Sequence, residues 1–428
     1  NNCQNCGFQQ VRINGLDGPY TQILIDSRPI FSALAGVYGL EQIPANMIER
    51  VEVMRGGGSA LFGSSAIAGT INIITKEPVR NSGQLTHTLT GIGGTSSWDN
   101  NTTLNASLVT DNHKAGLYIF GQNRERSGDD NDGDGYTELP KLKNQTVGFR
   151  SFIKTSTYSK LTFEYHHLSE FRRGGNKLNR PPHEADIAEQ LQHTINSGGA
   201  KFDYFSPDEK QRLSVYASAQ YTGRDSYYGG GQDVNAYGAT TDFTWVTGSQ
   251  YIYSFDKCFF MPADFTGGLE YNQDNLTDDM WAVSYMWGYN RYTKQEVRIA
   301  SAFFQNEWKN KQWSFLLGGR LDKHNMVDHV IFSPRANLRY NPTENMNLRA
   351  SYSFGFRAPQ AFDEDLHIEN VGGTVSMIEL AKDLTEEKSQ SLSISGDLYH
   401  RWGDFQGNLL IEGFYTSLSD VFALRQKG

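Results

Sequence analysis

Apolar and polar residues alternate one by one along many segments of this chain, and this pattern constrains the fold more than any other feature. In Arg212–Thr222, for example, Leu213, Val215 and Ala217 are separated by single, mostly polar residues, and Ser391–Leu398 repeats the pattern. Successive side chains of a β-strand point to opposite faces, so these segments predict strands with one apolar and one polar face. Each runs for about ten residues, which is the length that a tilted strand needs to cross a membrane.

The composition is compatible with strands that cross a membrane. No run of about 18 uncharged apolar residues occurs, so a transmembrane helix is not predicted. The mean hydropathy of -0.54 is typical of a soluble protein, but a membrane barrel has a similar average because every second residue faces a wet lumen. The 22 Tyr, 25 Phe and 7 Trp residues suit both the aromatic girdles of a barrel and a soluble β-sandwich.

The connections between the segments distinguish these two folds, because they alternate in length. The short connections are Asp111–Lys114, Ser206–Lys210, Asn310–Gln312 and Asn341–Asn345. The long connections are Glu125–Asn144, Ser169–Gln192, Arg224–Asp242, Asn272–Lys294 and Arg357–Lys388. Short turns at one end and long loops at the other are typical of an outer-membrane barrel. We count about fifteen strands up to Tyr415, an odd number that cannot close a bacterial barrel, so we expect a chain truncated at both ends.

Charge and cysteine content argue against several other classes of protein. The net charge is -9, so no nucleic-acid partner is predicted. Three cysteines, Cys3, Cys6 and Cys258, are too few for a disulfide scaffold. Cys3 and Cys6 lack the second pair of ligands that a structural zinc site needs, and we expect them to form a short local disulfide in an oxidising envelope.

Residues 1–78 have a different pattern and predict a small mixed α+β unit. Its short apolar strands and its helical stretch are Ile23–Ile25, Val51–Val53, Ile71–Ile74 and, for the helix, a segment near Pro44–Ile48. The glycine-rich run from Gly56 to Gly69 does not fit a nucleotide-binding loop, because neither G-x-G-x-x-G nor Gly-Lys-Ser/Thr can be written there.

The residues of this unit closely resemble the plug of TonB-dependent outer-membrane transporters. The segment from Ile43 to Gly63 carries most of the resemblance, and it continues from Ala68 to Lys76. Val11–Gly15 and Ile23–Ile30 resemble the preceding plug strands. Phe356–Pro359 and Leu384–Ser389 resemble motifs late in the barrel of the same family.

The resemblance implies a membrane all-β fold, namely a transmembrane antiparallel β-barrel filled by a small α+β plug domain. The family's barrel has about 22 strands, of which about fifteen would be present. We call residues 1–78 the plug and residues 79–428 the barrel. The family's energy-coupling box and the closure of its barrel lie outside the segments that match.

The resemblance also implies a function and partners. The expected function is active uptake of a scarce, bulky nutrient across the outer membrane of a Gram-negative bacterium, without enzymatic chemistry. The expected partners are the nutrient, a TonB-type inner-membrane energy coupler, membrane lipids and a surface lipoprotein. A passive porin is disfavoured because porins have no plug, and a secreted β-rich binding module would not sort its loops by length.

Individual residues are candidates for ligand binding. The connections Asp17–Gln22 and Phe31–Gly39 are expected at the apex of the plug, where small and aromatic side chains approach a large ligand. Tyr20, Ser32 and Tyr38 are the contacts that we predict there.

Three further residues are candidates for a lock between plug and barrel. Arg12 and Arg55 fall at family positions that face the barrel wall, and Glu387 matches the glutamate of the family's Leu-x-x-Glu-x-Ser motif. An arginine–carboxylate pair, Arg55 with Glu387, is expected to hold the plug. In the alternative interpretation, both arginines merely solvate a wet gap.

The acidic run from Asp129 to Glu138 predicts a calcium loop. Asp130, Asp132 and Asp134 have the D-x-D-x-D-G spacing of an EF-hand-like loop, and the carbonyl of Tyr136 is the expected next ligand. The residue at the twelfth position is a lysine, so a bidentate carboxylate must come from elsewhere. A solvated acidic loop remains the alternative.

Cobalamin is the ligand that we favour, because the acidic second loop and Phe171–Gly175 in the third resemble the cobalamin branch, whose members carry calcium in early loops. Haem or a ferric siderophore is the alternative. Haem receptors of the family place one axial histidine on the plug, and residues 1–80 contain none, while His367 stands alone in the loop after Phe356–Pro359.

Overall fold

The computed structural model describes residues 11–16, 18–29, 43–56, 63, 66–93, 96–284, 287–359, 380–381, 383–423 and 425. Their secondary structure consists of eighteen strands in two sheets and three short 3-10 turns. Within these residues, no helix has the length and apolar character that are needed to span a membrane.

The smaller sheet belongs to the plug and has three strands in the order β1-β3-β2. They are β1 (Thr21–Ile25), β2 (Ile48–Arg55) and β3 (Gly69–Thr75). β1 runs parallel to β3, and β2 runs antiparallel to it. The central strand β3 contributes Ile71 and Ile73 to the apolar core, where they are buried together with Ile13 and Ala68. The helix expected near Pro44–Ile48 is one 3-10 turn, Ala45–Met47.

The larger sheet has fifteen antiparallel strands, each paired with its neighbours in sequence. They are β4 (Ser82–Gly91), β5 (Trp98–Val109), β6 (Ala115–Arg126), β7 (Lys141–Ser156), β8 (Ser159–Gly175), β9 (Ile187–Phe205), β10 (Gln211–Gly230), β11 (Tyr237–Cys258), β12 (Met261–Ser284), β13 (Trp287–Lys309), β14 (Trp313–His324), β15 (Val330–Thr343), β16 (Met346–Arg357), β17 (Glu387–Trp402) and β18 (Phe405–Ser419). The predicted strand count of about fifteen is confirmed.

The larger sheet exposes its apolar side chains and buries its polar ones. On β17, Leu392 and Ile394 are 48% and 60% exposed, whereas Ser389 and Ser391, which precede them on the other face of the strand, are buried. On β7, Val147 and Phe149 point outward while Thr146 and Arg150 are buried. A water-soluble sheet would place its apolar face inward, so this orientation is that of a barrel wall in lipid.

The plug lies inside the curve of the larger sheet. Its side chains contact the inner face at widely separated strands. Asn46 bonds to the carbonyls of Leu104 on β5 and Gly121 on β6, whereas Arg55 bonds to Glu412 on β18. Strands from both ends of the sheet therefore face the same small unit.

Several loops that the sequence predicted to be long are instead strand extensions. β12 and β13 continue to Ser284 and from Trp287, and Thr277 pairs with Lys294 inside the segment predicted as a loop. The apolar alternation ends where a strand leaves the lipid, but strand pairing does not need apolar side chains and continues into water. The alternation of loop lengths survives in the connections at residues 127–140 and 176–186, which lie at one end of the sheet.

Candidate functional site

A tight turn after β1 carries the charged residues that join the plug to the barrel wall. Asp26 and Ser27 have left-handed backbones, with φ of 48° and 65°, and the amide of Arg28 donates to the carbonyl of Ile25 at 3.0 Å. Thr75, at the end of β3, donates to the Asp26 carboxylate from its amide at 3.0 Å and from its hydroxyl at 2.7 Å. The turn and the neighbouring strand β3 thus fix the position of the Asp26 carboxylate from within the plug.

The wall offers a complementary pair, Arg150 on β7 and Glu164 on β8, which lie directly opposite each other in the strand register. Arg150 Nη1 donates to Glu164 Oε2 at 2.8 Å and also to Asp26. Arg28 donates to Glu164 through Nη2 and to Ser218 Oγ through Nη1, the latter at 2.6 Å. Two arginines and two carboxylates from plug and wall therefore form one network.

This network is shielded from water and balanced in charge. The side chains of Arg28 and Arg150 are 6% and 10% exposed, and those of Asp26 and Glu164 are 13% and 19% exposed. Burial alone raises the pKa of Asp26, but the attraction of Arg150, the hydrogen bonds from Thr75 and the charge of Arg28 outweigh it and hold that pKa below its ordinary value. The carboxylate is therefore ionised at neutral pH, as a charge-assisted contact requires.

A second charged contact extends the network toward the short-turn end of the barrel. Glu77, just after β3, accepts from Lys160 Nζ at 3.2 Å and from Arg150 Nη2 at 3.5 Å. Glu77 is 42% exposed, so this outer contact is weaker than the buried one. The chain enters the barrel here through Pro78, which packs against Gly116 and Phe152.

A separate cluster joins the plug to the long-loop end of the barrel. Glu387, at the start of β17, accepts from Arg357 at 3.2 Å, from the hydroxyl of Tyr20 at 3.3 Å and from the amide of Phe422 at 2.6 Å. The Arg357 guanidinium lies 5.6 Å from the ring centroids of both Tyr20 and Phe422, a distance suited to cation–π attraction. The backbone of Tyr20 is fixed in turn, since its carbonyl accepts from Ile67 and Ala68.

Two of the predicted lock residues, Arg55 and Glu387, lie at the plug–barrel boundary but have different partners from those expected. Arg55 Nη1 donates to Glu412 Oε2 at 2.5 Å and does not pair with Glu387, which bonds Arg357 instead. Glu387 points inward, as expected, and is 1% exposed. Arg12 is exposed and has contacts of its own. The motif match identified these residues, but a motif does not contain the pairing register of the strands. That register decides which strand each side chain contacts.

Of the predicted ligand contacts, Tyr20 lies at the long-loop end of the lumen, within the cluster around Arg357. Ser32 and Tyr38 lie outside the described residues, as do Cys3 and Cys6 and the histidine of the loop after β16, His367. These remain predictions.

The acidic loop is a compact turn closed at its base. Asp129 and Leu139 form a bridge, with amide–carbonyl distances of 2.9 and 3.2 Å. Within it, carboxylate oxygens of Asp130, Asp132, Asp134 and Glu138 all lie within 4.8 Å of one another. Sequence reasoning missed Glu138 as a member of this cluster, although it occupies the ninth position of the loop, where EF-hands commonly contribute a ligand.

Sequence reasoning also missed Asp26, Arg28, Arg150 and Glu164. Two signals were available. Asp26 and Arg28 lie in the segment Ile23–Ile30, which carries part of the resemblance. Arg150 and Glu164 are charged residues on adjacent strands, and the alternation places Arg150 on the face opposite Phe149, that is, inside.

A curved sheet with an apolar outer face, a polar lumen and a small domain bound within it defines a plugged membrane β-barrel. This chain belongs to the TonB-dependent receptor family, whose members reside in the outer membrane. Residues 77–428 match the model of the TonB dependent receptor-like β-barrel, and residues 1–70 match that of the TonB-dependent receptor plug domain. These are receptors, in agreement with the expectation that the chain is not an enzyme.

Individual relatives are similar over different parts of the chain. The vitamin B12 transporter BtuB of Vibrio vulnificus is 48% identical over 65 residues, which are 15% of this chain and 11% of the relative. The iron-regulated outer membrane virulence protein of Vibrio cholerae is 25% identical over 390 residues, covering 82% of this chain and 51% of the relative. The chain thus spans about half the length of this second relative.

The fold is shared with solved structures. The siderophore receptor PirA from Acinetobacter baumannii superposes with a TM-score of 0.76 at 18% identity, covering 96% of this chain and 71% of that one. At this identity the likeness concerns the fold.

Proposed function

We propose that this chain forms most of the plug and part of the barrel of an active transporter, which carries a scarce, bulky nutrient across the outer membrane with energy from a TonB-type inner-membrane protein. The observation that supports this most directly is the way in which the plug is held. Many of its buried contacts to the wall are hydrogen bonds and ion pairs centred on Asp26, Arg28 and Arg150, beside one small apolar cluster in which Ile25 and Met47 meet Tyr118, Phe120 and Val246. Polar contacts of this kind can be exchanged for water as the plug moves, whereas a fused apolar core would resist movement.

Uptake by cells that carry the full-length protein tests this proposal. Cells lacking the gene, with and without a plasmid copy, are compared for accumulation of labelled nutrient, and a protonophore is added to one half of each culture. The expected result is plasmid-dependent accumulation that the protonophore abolishes, while surface binding at equilibrium is unchanged. Accumulation that persists with the protonophore would identify a passive pore.

Cobalamin is the cargo that we propose first. Two features support it. A stretch of 65 residues is 48% identical to the vitamin B12 transporter BtuB of Vibrio vulnificus, and the loop between β6 and β7 carries the acidic cluster for which the sequence predicts calcium.

The acidic cluster has the chemistry of a calcium site. Calcium prefers six to eight oxygen ligands, and the carboxylates of Asp130, Asp132, Asp134 and Glu138 offer several within a small volume. Gly135 has a φ of +92°, which suits the sharp turn that such loops make at their sixth position. In the proposal, these four side chains and the carbonyl of Tyr136 hold calcium and thereby order the loop.

The loop is also connected to its neighbour, so a bound cation would affect more than one loop. The amide of Thr137 donates to the carbonyl of Gly175 at 3.2 Å, and the amide of Gly175 donates back to the Thr137 hydroxyl at 3.1 Å. Gly175 ends β8, from which the next long loop begins. Calcium bound at residues 130–138 would therefore stabilise both loops that frame this side of the lumen entrance.

Calcium binding is tested by titration of the full-length protein, followed by hydrogen exchange across residues 128–138. Protection of these residues is expected to rise with calcium in the parent and not in Asp132→Asn/Asp134→Asn. Asp111→Asn, in a short turn at the other end of the barrel, is the matched control. Equal protection with calcium and with excess chelator would refute the calcium part of the proposal.

A ferric siderophore is the second candidate, favoured by the cationic character of the inner wall, where Arg335, Arg339 and Arg349 line a cavity. Equilibrium binding of cobalamin, haemin and a panel of ferric siderophores to the full-length protein, with and without calcium, separates the candidates. Cobalamin binding that weakens in chelator supports the first. Calcium-independent binding of one anionic ferric siderophore supports the second.

A further inference from the structure

A cavity of about 510 Å³ lies between the end of the plug strand β2 and the inner face of strands β13 to β18. Its charged lining consists of Arg55, Arg335, Arg339, Arg349, Glu307 and Glu412. None of these residues belongs to the cluster around Glu387 or to the network around Asp26. The cavity is therefore a feature separate from both plug–wall contacts described above.

The cavity lies toward the short-turn end of the barrel, which is the periplasmic end in this family. Arg349 is three residues from the start of β16 at Met346, so it lies about 10 Å along the strand from that end, at about 3.4 Å per residue. Arg339 is four residues from the other side of the same turn, at Thr343. A solute that enters from the long-loop end would reach this position after passing the cluster around Arg357.

Positive charge is in excess in the cavity, since its lining contains four arginines and two glutamates. The two carboxylates are already engaged. Glu412 accepts from Arg55 at 2.5 Å, and Glu307 accepts from the hydroxyl of Ser314 at 2.6 Å and lies 4.0 Å from Lys309. In the described part of the chain, Arg335, Arg339 and Arg349 thus have no carboxylate within ion-pair distance.

Two of these arginines also present shielded donors. Within the residues that the structure describes, Nη1 of Arg335 and Nε of Arg339 are screened from solvent and lack a hydrogen-bond acceptor. A guanidinium donor without an acceptor is costly to bury. Both arginines line the cavity, so an anionic oxygen that enters it can accept from their guanidinium groups once these donors turn toward it.

Part of the remaining wall is lined with the small hydroxyl groups of serines, beside apolar side chains such as Met54 and Leu316. Ser351 and Ser393 lie across from each other on β16 and β17, with their Oγ atoms 2.6 Å apart. Nearby, Gly56 ends the plug strand, where an added Cβ would lie 3.6 Å from Ser391 and 3.8 Å from Ser353. This part of the surface is therefore able to donate hydrogen bonds to a solute.

We propose that this cavity, which we call the arginine cavity, is a transit site on the periplasmic side of the plug for a solute that carries phosphate or carboxylate groups. Guanidinium groups recognise both anions through paired N–H donors. The proposal rests on the proposed function, because it assumes a solute moving through the lumen, and it adds a chemical selectivity to that function.

The electrostatic part is tested without any cargo. Ser351→Cys is introduced into the full-length protein and labelled with an anionic sulfonate and a cationic trimethylammonium methanethiosulfonate, and the peptide containing residue 351 is quantified by mass spectrometry, which separates it from Cys3, Cys6 and Cys258. The anionic reagent is expected to react at least about tenfold faster than the cationic one, since clefts of one charge concentrate the opposite ion by this factor or more. The ratio should fall as salt is added.

Charge variants show whether the cavity arginines cause this preference. Arg335→Gln/Arg339→Gln should bring the ratio close to one, and Glu307→Gln should raise it above that of the parent. Arg401→Gln is the control, because Arg401 is exposed at the same end of the barrel and bonds to the carbonyl of Gly403 without lining the cavity. A parent ratio near one, or a ratio unchanged by the double substitution, would overturn the proposal.

Transport measurements then separate this proposal from the proposed function. In cells, Arg335→Gln/Arg339→Gln should slow uptake of an anionic ferric siderophore or of cobalamin, which carries a phosphodiester, by about tenfold, with unchanged binding at the cell surface. Slow uptake of the siderophore alone would assign the site to carboxylate and catecholate anions. Normal uptake of both would refute a transit role. If no cargo binds the parent protein, the proposed function fails, while the thiol-labelling ratio still decides the charge preference of the cavity.

Discussion

Arg150 on β7 and Asp26 on the plug share a hydrogen bond across the plug–barrel boundary, although 124 residues separate them in the sequence. The same Nη1 atom also donates to Glu164 of the neighbouring strand, so one guanidinium holds a carboxylate from each domain. Because Arg150 is only 10% exposed, this contact is largely screened from water, unlike most ion pairs on the surface of the chain.

Removal of either partner in this network should loosen the plug strongly. Breaking a buried ion pair from one side costs about 3–5 kcal/mol, which at about 1.4 kcal/mol per tenfold corresponds to at least a hundredfold faster exchange of protected amides. Arg150→Met and Asp26→Asn are therefore expected to accelerate hydrogen exchange across residues 21–28 and 69–75. The double variant should be less destabilised than the sum of the single ones, because the two side chains interact directly.

Arg50→Met is the matched control for that series. Arg50 is also a plug arginine with a carboxylate partner, Glu52, but the two side chains are 60% and 49% exposed, and little change is expected. Equal acceleration by Arg50→Met and Arg150→Met would contradict the idea that burial makes the wall network strong.

The network should also give the plug a pH dependence with a defined sign. The pKa of Asp26 lies below its ordinary value of 3.8, so the unfolded chain binds the proton more readily than the folded one. The stabilisation is therefore fully present above about pH 4 and is lost as pH falls through the lower folded pKa. Hydrogen exchange across residues 69–75 should accelerate more between pH 5 and pH 2 than intrinsic exchange chemistry explains.

Asp26→Asn isolates this effect, since asparagine does not titrate. The variant should be less protected than the parent at pH 7, and the difference between them should shrink toward pH 2. A constant difference over that range would mean that Asp26 is not the group whose protonation releases the contact.

A glycine on β9 is required for the close approach of the plug arginine. A Cβ on Gly199 would lie 2.5 Å from Ser218 Oγ and 3.0 Å from both Ala217 O and Arg28 Nη1. Gly199→Ala should therefore displace Arg28 and cost about 1–3 kcal/mol, the usual range for overpacking. Gly413→Ala on β18 is the control, because nothing lies within 4 Å of its added Cβ. Thermal unfolding of both variants, with exchange across residues 21–28, checks the prediction.

The architecture could be predicted well from the sequence because the alternation of apolar and polar residues follows directly from contact with lipid on one face of each strand. Every second residue of β17 from Ser389 to Ser395 is a serine, and lipid on one face and water on the other account for that pattern. The ends of the long loops were predicted poorly because the alternation depends on contact with lipid and stops where a strand leaves it. Beyond the lipid, as at Thr277 and Lys294, no apolar face is required. The strands still pair there, but their sequence does not alternate between apolar and polar residues.

The contacts between plug and wall were the least predictable part. They depend on the register of strands far apart in sequence, and register follows from the whole sheet and not from a motif. Arg150 and Glu164 illustrate what was accessible, since alternation places Arg150 inside, while its meeting with Asp26 depends on how the plug is oriented. Glu138 is a simpler case, because the spacing of the acidic loop already indicated its position.

Arg55 and Glu387, two of the three predicted lock residues, should act independently and with unequal strength. Arg55 pairs with Glu412, and these side chains are 54% and 23% exposed, so Arg55→Ala should have a small effect, confined to residues 50–55. Glu387 is buried and accepts from Arg357, from Tyr20 and from the amide of Phe422. Glu387→Ala removes all three contacts and should cost about 3–5 kcal/mol, seen as faster exchange across residues 18–24.

Because the two side chains share no partner, the double variant should show the sum of the single effects, within about 0.5 kcal/mol. Glu387→Gln keeps the acceptor oxygen without the charge and should fall between parent and alanine variant. A double variant no worse than Glu387→Ala alone would instead mean that Arg55 and Glu387 act as one unit in the full-length transporter.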